Sequence, residues 1–563
     1  MEILMLKTKI VSSLVKARLE DSINSFEQLK EISALKGERL SFQLLCYYEF
    51  SADTAYVEMN RDKTLATVCV SGELAKYATA RNVENIPISR PTLDRANGDD
   101  DYISKNPGLF PDLLTPMHYG NVVCLSPHLL FSVWVEINIP KNFAPGDTTL
   151  TLTLGNGHET ETSEIRVDVI DAVMPDEDIY FTQWFHCDCL ASYYGVEVWS
   201  EKHWKIIENF AQAAVKNGIN MLLTPTFTPP LDTKVGGERK TCQLVGVKIK
   251  RGKYCFDFSL LDRWCDMCNR VGIKYFEIAH FFTQWGAHHA PKVMATKGRK
   301  TVKIFGWETD ATSKEYVEFL RAFITALLTH MKARGDDKRL FFHISDEPSE
   351  EHIESYKAAK ASISDLLQGY VIMDALSNYD FWKMGIVDTP IPSNDHISPF
   401  INGGVPNLWT YYCCGQAKGV SNRFIAMPSR RNRSIGFQMY KYNIVGFLHW
   451  GYNFYSNCYS VNEINPYLQG DGDGWVPPGD AFSVYPAQNG EALESIRITV
   501  FHEALQDIKA MKLAEKLVGR EKIVELIDSK IGEDVTFDTC AKSDFALLSL
   551  RAEINNIIKE NTK

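Results

Sequence analysis

Between Tyr180 and Tyr455 the chain alternates, eight times over, a short apolar run with a stretch of helical or turn character. The runs are YFTQWFHCD, INMLLTPTF, IKYFEIAHFF, RLFFHISDEP, YVIMDALSN, GIVDTPIP, NLWTYYCC and FLHWGYNFY. Apolar runs of this length suit parallel strands covered on both faces. The intervening SEKHWKIIENFAQAAVKNG, LLDRWCDMCNRVG and KEYVEFLRAFITALLTHMKARG carry helical periodicity, and Gly218 stands where a helix C-cap belongs. Eight such units over roughly 250 residues predict a (β/α)8 barrel, with the weakest helical pattern between the sixth and seventh runs.

At 563 residues the chain exceeds what one core serves, so further domains are expected. From about Arg39 to Ile170 the pattern is short β-rich runs, among them RLSFQLLCYY, TLATVCVS, LLFSVWVEINI, TTLTLTLG and SEIRVDVID. Helical periodicity is scarce there once the opening forty residues are past. Alternating strands divided by Asn, Gly, Asp and Pro suggest an antiparallel sandwich. The acidic, proline-bearing DAVMPDEDI, Asp171 to Ile179, reads as a linker. The expected division is 1–172 for an N-terminal antiparallel β-sandwich, 180–490 for the barrel, and 491–563 for a helical C-terminal segment packing on the barrel.

Charge and cysteine usage narrow the function. The net charge is −11 with no basic stripe, which argues against a nucleic-acid partner. No apolar run approaches the roughly 20 residues of a membrane span. Lys7, Lys9 and Lys16 interrupt the apolar pieces of the N-terminus, so a cytoplasmic protein is expected. Of the thirteen cysteines, Cys187 with Cys189 and Cys265 with Cys268 are closely spaced. Neither pair has a partner motif at zinc-finger spacing, and free buried thiols are expected. The pair His288-His289 and the stretch around His502 lack HExxH spacing, so no metal site and no cofactor are expected.

The fourth run ends in Asp346 and Glu347, then Pro348 and a helix. Ser349 can cap that helix, and Glu350 and Glu351 favour its N-terminal dipole. No such role accounts for Asp346 and Glu347, which stand at the end of a barrel strand where barrel enzymes place their chemistry. Loop carboxylates bonding backbone amides remain the alternative. Other strand ends add candidates for a sugar pocket with apolar walls and polar anchors. A period of two places Trp184, His186 and Asp188 on one face, Trp409 and Tyr411 on another, and Trp450, Tyr452 and Phe454 on a third. His280 and Asn453 are further polar candidates on the third and eighth runs.

HISDEP at a fourth strand, NLWTYYCCGQ with the downstream NRFIAMPSRRNRSIGFQMYKY, FLHWGYNFY, and GDAFSVYP before SIRITVFHEALQDI together resemble glycoside hydrolase family 123. The resemblance runs from about Arg39 to Lys512. It implies a β-sandwich ahead of a (β/α)8 barrel and β-N-acetylgalactosaminidase activity on glycolipid-type glycans. It also implies that Asp346 is the polarising aspartate and Glu347 the acid/base. A sugar with a 2-acetamido group supplies its own nucleophile, an exception to the two-carboxylate scheme, and the adjacency of the two acids then makes sense. One protonates the leaving oxygen while the other holds the acetamido N–H. Glu347 is expected to carry the proton and Asp346 the charge. Two rivals stay open: a two-carboxylate glycosidase with its nucleophile at Asp374 or Asp388, and a carbohydrate-binding protein without catalysis.

Overall fold

The computed structural model describes residues 3–51, 64–92, 99–117, 120–176 and 179–562. The chain forms two compact units. One gathers Met1–Asp178, Ala417–Lys441 and Leu493–Lys563; the other comprises Ile179–Gln416 and Tyr442–Ala492.

The first unit holds two five-stranded sheets. One orders Ile3–Ser12, Arg39–Ser51, Leu130–Asn138, Ala78–Ile88 and Gly108–Pro116, all antiparallel. The other orders Glu31–Lys36, Thr160–Val173, Gly146–Gly155, Thr64–Ser71 and Val122–Leu125. Its first pair is parallel, a departure from the all-antiparallel expectation. The opening forty residues supply strands Ile3–Ser12 and Glu31–Lys36, with a single 3-10 turn at Ile23–Ser25 among the described residues. Alternation puts Leu150, Leu152 and Leu154, and Ile165, Val167 and Val169, into one hydrophobic cluster with Phe42, Leu44, Val133 and Val135 of the other sheet. Each such side chain contributes about 1.5–3 kcal/mol by leaving water.

The C-terminal helices Ile496–Val518, Arg520–Ile531 and Asp544–Asn561 belong to this unit as well. Ile496–Val518 packs on helix Ser429–Lys441 at Gly436, where a Cβ would stand 2.7 Å from the Ala504 carbonyl oxygen. The C-terminal segment therefore packs on a helix that the sequence places after the seventh barrel run.

The second unit contains an eight-stranded parallel barrel: β1 (Tyr180–Gln183), β2 (Met221–Thr224), β3 (Tyr275–Ile278), β4 (Leu340–Phe342), β5 (Val371–Ala375), β6 (Thr389–Ile391), β7 (Trp409–Tyr411) and β8 (Gly446–His449). Neighbours pair in parallel from β7 through β8 and β1 to β6. A single bridge, Ser393 to Tyr411, nearly closes the ring just past β6. Helices Glu201–Lys216, Ser259–Val271 and Lys314–Arg334 follow β1, β2 and β3. Gly272 and Gly335 end the latter two in the left-handed conformation, with φ of 99° and 79°. A four-stranded side sheet, Gly246–Lys250, Lys253–Asp257, Val293–Lys297 and Lys300–Phe305, arises from the loops after β2 and β3. The apolar runs had not indicated it. Cys187, Cys189, Cys265 and Cys268 are buried free thiols, as expected. No helix among the described residues is long and apolar enough to cross a membrane.

Candidate active site

Past Phe342 the chain leaves the ladder of β4 while still running through the barrel mouth. Ser345 Oγ donates to the Thr283 carbonyl at 2.8 Å. The Asp346 carbonyl accepts the Trp285 N–H at 2.9 Å, and the Glu347 N–H donates to the Ala375 carbonyl at 3.0 Å. Neighbouring loops thus fix the backbone of both acids. Glu347 has φ +42°, a left-handed conformation that costs a non-glycine residue of order 1–3 kcal/mol and persists where the surroundings over-determine it. Its side chain is exposed, and Tyr411 Oη donates to its Oε1 at 2.7 Å.

Asp346 is half-buried. Loss of water, then the Glu347 and Asp232 carboxylates, raise its carboxyl well above the usual range. In the free site Asp346 resists ionisation, so the charge it is expected to carry has to be drawn out by a ligand. Asp232, in the loop after β2, is a third carboxylate that the sequence did not single out. Burial, opposed by Arg239 and reinforced by Glu347, pushes it up to about 6. Its Oδ2 has no hydrogen-bond partner among the described residues, and its backbone is left-handed at φ +54°.

Beneath the pair lies a buried network. His343 donates from Nε2 to Glu277 Oε1 at 2.7 Å and from Nδ1 to Asp374 Oδ1 at 3.2 Å. Burial would lower its imidazole, but these two carboxylates outweigh it and raise it to about 10, so the ring is an imidazolium. Glu277 also accepts Trp184 Nε1–H at 2.7 Å and the Thr182 hydroxyl. Asp374 accepts the Ile344 N–H at 3.0 Å and the Tyr356 hydroxyl. Asp374 is fully buried and its oxygens are occupied. Asp388 stands just before β6, at the opposite end of the strands, and pairs with Lys360 at 2.9 Å. Neither rival nucleophile faces the mouth free.

His280, 2% exposed, stacks on His343 at 4.2 Å between ring centroids. Burial keeps it neutral, and neither ring nitrogen has a hydrogen-bond partner among the described residues. His280, His343 and Asp374 bring one potential ligand atom each within 4.8 Å of one another. His343 spends both nitrogens as donors to carboxylates, so the cluster as built offers a cation no imidazole lone pair from that residue.

A second polar group flanks β1. Arg239 holds Asp188 bidentately, 2.7 Å from Nε and 2.7 Å from Nη2, and donates to His186 Nδ1 at 3.0 Å. Burial alone would raise the Asp188 carboxyl; the guanidinium outweighs it and holds it below its usual value. Burial and the same guanidinium lower His186 to about 3, so its Nε2–H donates to the Trp450 carbonyl at 2.8 Å. Asn453 clamps the His186 backbone, accepting its N–H at 2.9 Å and donating to its carbonyl at 3.2 Å. Trp450 is half-buried, bonded through Nε1 to Asp480 at 2.9 Å.

Two candidates fall outside this group. β8 ends at His449, so the period of two does not reach Tyr452. That ring stacks on Phe185 and its hydroxyl bonds the Phe210 carbonyl of the helix after β1. Trp409, first residue of β7, stacks on Tyr180, first residue of β1, at 5.3 Å, in the layer at the N-terminal end of the strands. In β1 the strand likewise ends at Gln183, and Asp188 sits in helix Cys187–Tyr193, not on a strand face. Glu277, an acid inside the apolar YFEI, was visible as an anomaly. Asp232 and Arg239 lie in an irregular loop without periodicity.

Comparisons with known proteins agree with this architecture. The family model described as Glycoside hydrolase 123, catalytic domain, matches residues 184–514, more than half of the chain. A solved family 123 glycoside hydrolase from Clostridium perfringens, described for glycolipid glycan hydrolysis, shares the fold with a TM-score of 0.72. It is 17% identical, with 99% of this chain and 97% of that one covered. A Parabacteroides merdae β-glucuronidase (10% identity, 90% and 52% covered, TM-score 0.32) and a Thermotoga petrophila endo-β-1,4-mannanase (11%, 60% and 77%, 0.33) fit too loosely to bear on the fold. No curated protein matches significantly. The chain belongs to glycoside hydrolase family 123.

Proposed function

We propose that the protein releases terminal β-linked N-acetylgalactosamine from glycans, acting from the chain end with retention of configuration. Asp346 and Glu347 are the catalytic residues, and the substrate's acetamido oxygen is the nucleophile. The carrying observation is that two adjacent acids meet at the end of β4 while Asp374 and Asp388 are engaged elsewhere. Glycolipid-type glycans are the substrates that the Clostridium perfringens relative suggests. The catalytic part is read as residues 180–490, and the two N-terminal sheets as a β-sandwich about their shared cluster. Free cysteines throughout fit a cytoplasmic setting.

In the first step the acetamido carbonyl oxygen attacks the anomeric carbon as the glycosidic bond breaks. Glu347 gives its proton to the departing oxygen. Asp346 accepts the acetamido N–H and faces the oxazolinium ring as it becomes positive. That charge reverses the local balance: the cation draws Asp346 to its ionised form, and the proton that the adjacent pair holds in the free site is the one that Glu347 passes to the leaving oxygen. At an effective dielectric near 20 and about 4 Å the attraction is on the order of 4 kcal/mol, roughly a thousandfold in rate. In the second step water attacks the anomeric carbon, Glu347 takes its proton, and the ring opens to the β product.

Replacing N-acetyl by N-trifluoroacetyl tests the nucleophile: kcat falls steeply if the amide oxygen attacks. A glycosyl-enzyme trapped on Asp232, Asp374, Asp388 or any other carboxylate, seen by mass spectrometry, overturns the proposal.

A further inference from the structure

The loops above the strand ends concentrate backbone strain. Asp232 after β2 (φ 54°), Trp285 and Ala287 after β3 (58° and 56°), and Tyr459 and Ser460 after β8 (59° and 56°) are all left-handed non-glycine residues, like Glu347 itself. A bulky aromatic residue rarely adopts this conformation, so two of them in adjoining loops need a reason.

The loops are also stitched together. Ser460 Oγ donates to the Asp232 carbonyl at 2.9 Å. The Asp232 N–H donates to Gln284 Oε1 at 2.8 Å, and Gln284 Nε2 returns to the Thr233 carbonyl at 2.9 Å. Next in sequence, the Trp285 N–H donates to the Asp346 carbonyl at 2.9 Å. A rigid chain of contacts therefore runs from the turn bearing Tyr459 to the backbone of Asp346.

At the end of that chain stand two side chains that a purely structural role does not explain. Trp285 is 40% and Tyr459 44% exposed, the two exposed aromatic residues of the second unit among the described residues. Their rings meet edge to face, 6.4 Å between centroids and 85° between planes. Such a pair makes a corner, one face for a ring to lie on and one wall beside it. Each aromatic ring has an apolar body and a polar tip, suited to a surface that is wet when empty.

We propose that Trp285 and Tyr459 form the platform for the aglycone, the neutral pyranose ring whose oxygen is the leaving group. The inference rests on Glu347 as the general acid. An acid that protonates the leaving oxygen has the leaving sugar on its own side. The Glu347 side chain is exposed, so that sugar lies toward solvent, and the exposed Trp285 is bonded through its backbone to Asp346, the residue next to Glu347. The apolar C–H face of a pyranose stacks on an aromatic face, and its hydroxyls stay in water.

The test compares Trp285→Ala and Tyr459→Ala with the native enzyme on two substrates. One is an oligosaccharide with terminal β-linked N-acetylgalactosamine on galactose; the other is the β-azide of N-acetylgalactosamine, whose three-atom leaving group is too small to reach the platform. The variants are expected to lose about 10- to 100-fold in kcat/KM on the oligosaccharide and less than about twofold on the azide. Trp285→Phe should restore much of the loss. A second measurement is binding of free lactose to the native protein and both variants by saturation-transfer NMR, which needs no turnover. If the native enzyme cleaves neither substrate yet binds lactose, and the variants do not, the proposed activity fails while the platform stands. Equal losses on both substrates, no loss on either, or lactose binding that survives both variants overturns the platform. Melting temperatures of the variants, if unchanged, show that the losses are not unfolding.

Discussion

In the first unit, several buried carboxylates are bonded to arginines. Arg497 holds Asp112 through two bonds, at 2.8 and 2.9 Å. Arg433 spans Asp507 and Glu503, and Arg551 spans Asp507 and Glu38. At the mouth of the barrel, Asp346, Glu347 and Asp232 face one another, and the hydrogen bond that reaches Glu347 comes from a neutral phenol. Both regions remove carboxylates from water, an expensive step. One offsets it in part with guanidinium groups in direct contact; the other has only the weaker opposing pull of Arg239 on Asp232 and of the His343 imidazolium on Asp346. A site that must greet a positive transition state gains from carboxylates with no guanidinium bonded to them among the described residues, because such a partner would already have neutralised them. The difference separates charges that hold the fold from charges that await a ligand.

The largest expected effect breaks the matched side of the comparison. Asp112→Ala removes the carboxylate that buried Arg497 holds through two bonds, and should destabilise by about 3–5 kcal/mol, with kinetics unchanged in the fraction that remains folded. Replacing both partners, as Asp112→Leu with Arg497→Met, should recover most of that loss. Thermal or urea melts decide. A small effect from the single change would mean that the pair is no more structural than the acids at the mouth.

Glu347→Gln should do the reverse. Hydrolysis of glycans should fall about 1000-fold, whereas aryl glycosides with good leaving groups should lose far less, since a stable phenolate departs with little proton assistance. The melting temperature should hold. Equal losses on both substrate classes would remove Glu347 from the general-acid role.

Asp232→Asn should be stabilising. With a folded-state value of about 6 and an ordinary value of 3.8, Asp232 binds its proton more tightly in the folded chain. Below about pH 3 both states are protonated and the residue is neutral in its effect. Between about pH 4 and 6 the unfolded chain ionises while the folded chain holds its proton, so a penalty builds to about 3 kcal/mol and is complete above pH 6. The asparagine variant should therefore melt a few degrees higher than the native protein at pH 7.5 and at the same temperature at pH 3. Activity should fall, the trade expected where a site stores unfavourable charge. A gain that is equal at both pH values would assign the effect to packing.

How much of this was legible in the sequence depended on whether a residue sat in a periodic element. The eight strands were visible because parallel strands buried on both faces read as apolar runs. The acids of β4 were visible because nothing in a strand or cap required them. Face assignments failed where strands stopped early: β8 ends three residues before Tyr452, whose ring turns to the helix after β1. Trp409 does face the barrel interior, but periodicity gives the face of a strand and not the depth along it. The hairpin turn Arg251-Gly252, left-handed at both residues, belongs to a side sheet rich in exposed lysines that no apolar run announced. Asp232 and Arg239 were hidden for a simpler reason. Their loop has no period, and only the folded chain brings one beside Glu347 and the other onto Asp188.

The smallest expected effect falls on the contact between the two kinds of group, the hydroxyl of Tyr411 on Glu347 Oε1. Burial and the Glu347 carboxylate raise the phenol well above its usual range, so it stays protonated and donates at any working pH. Holding Oε1 leaves Oε2 to face the leaving oxygen, which makes Tyr411 a positioning residue acting through Glu347. Tyr411→Phe keeps the ring and removes the bond, a change of about 1–2 kcal/mol, or roughly 10-fold in kcat. The loss should grow as the leaving group worsens, because only a reaction that needs the proton feels the orientation of its donor. KM should move little, since the ring still fills its place in the barrel. A loss that is the same for aryl and sugar leaving groups, or one that appears in KM alone, would make Tyr411 a wall of the pocket and leave Glu347 without a positioning partner.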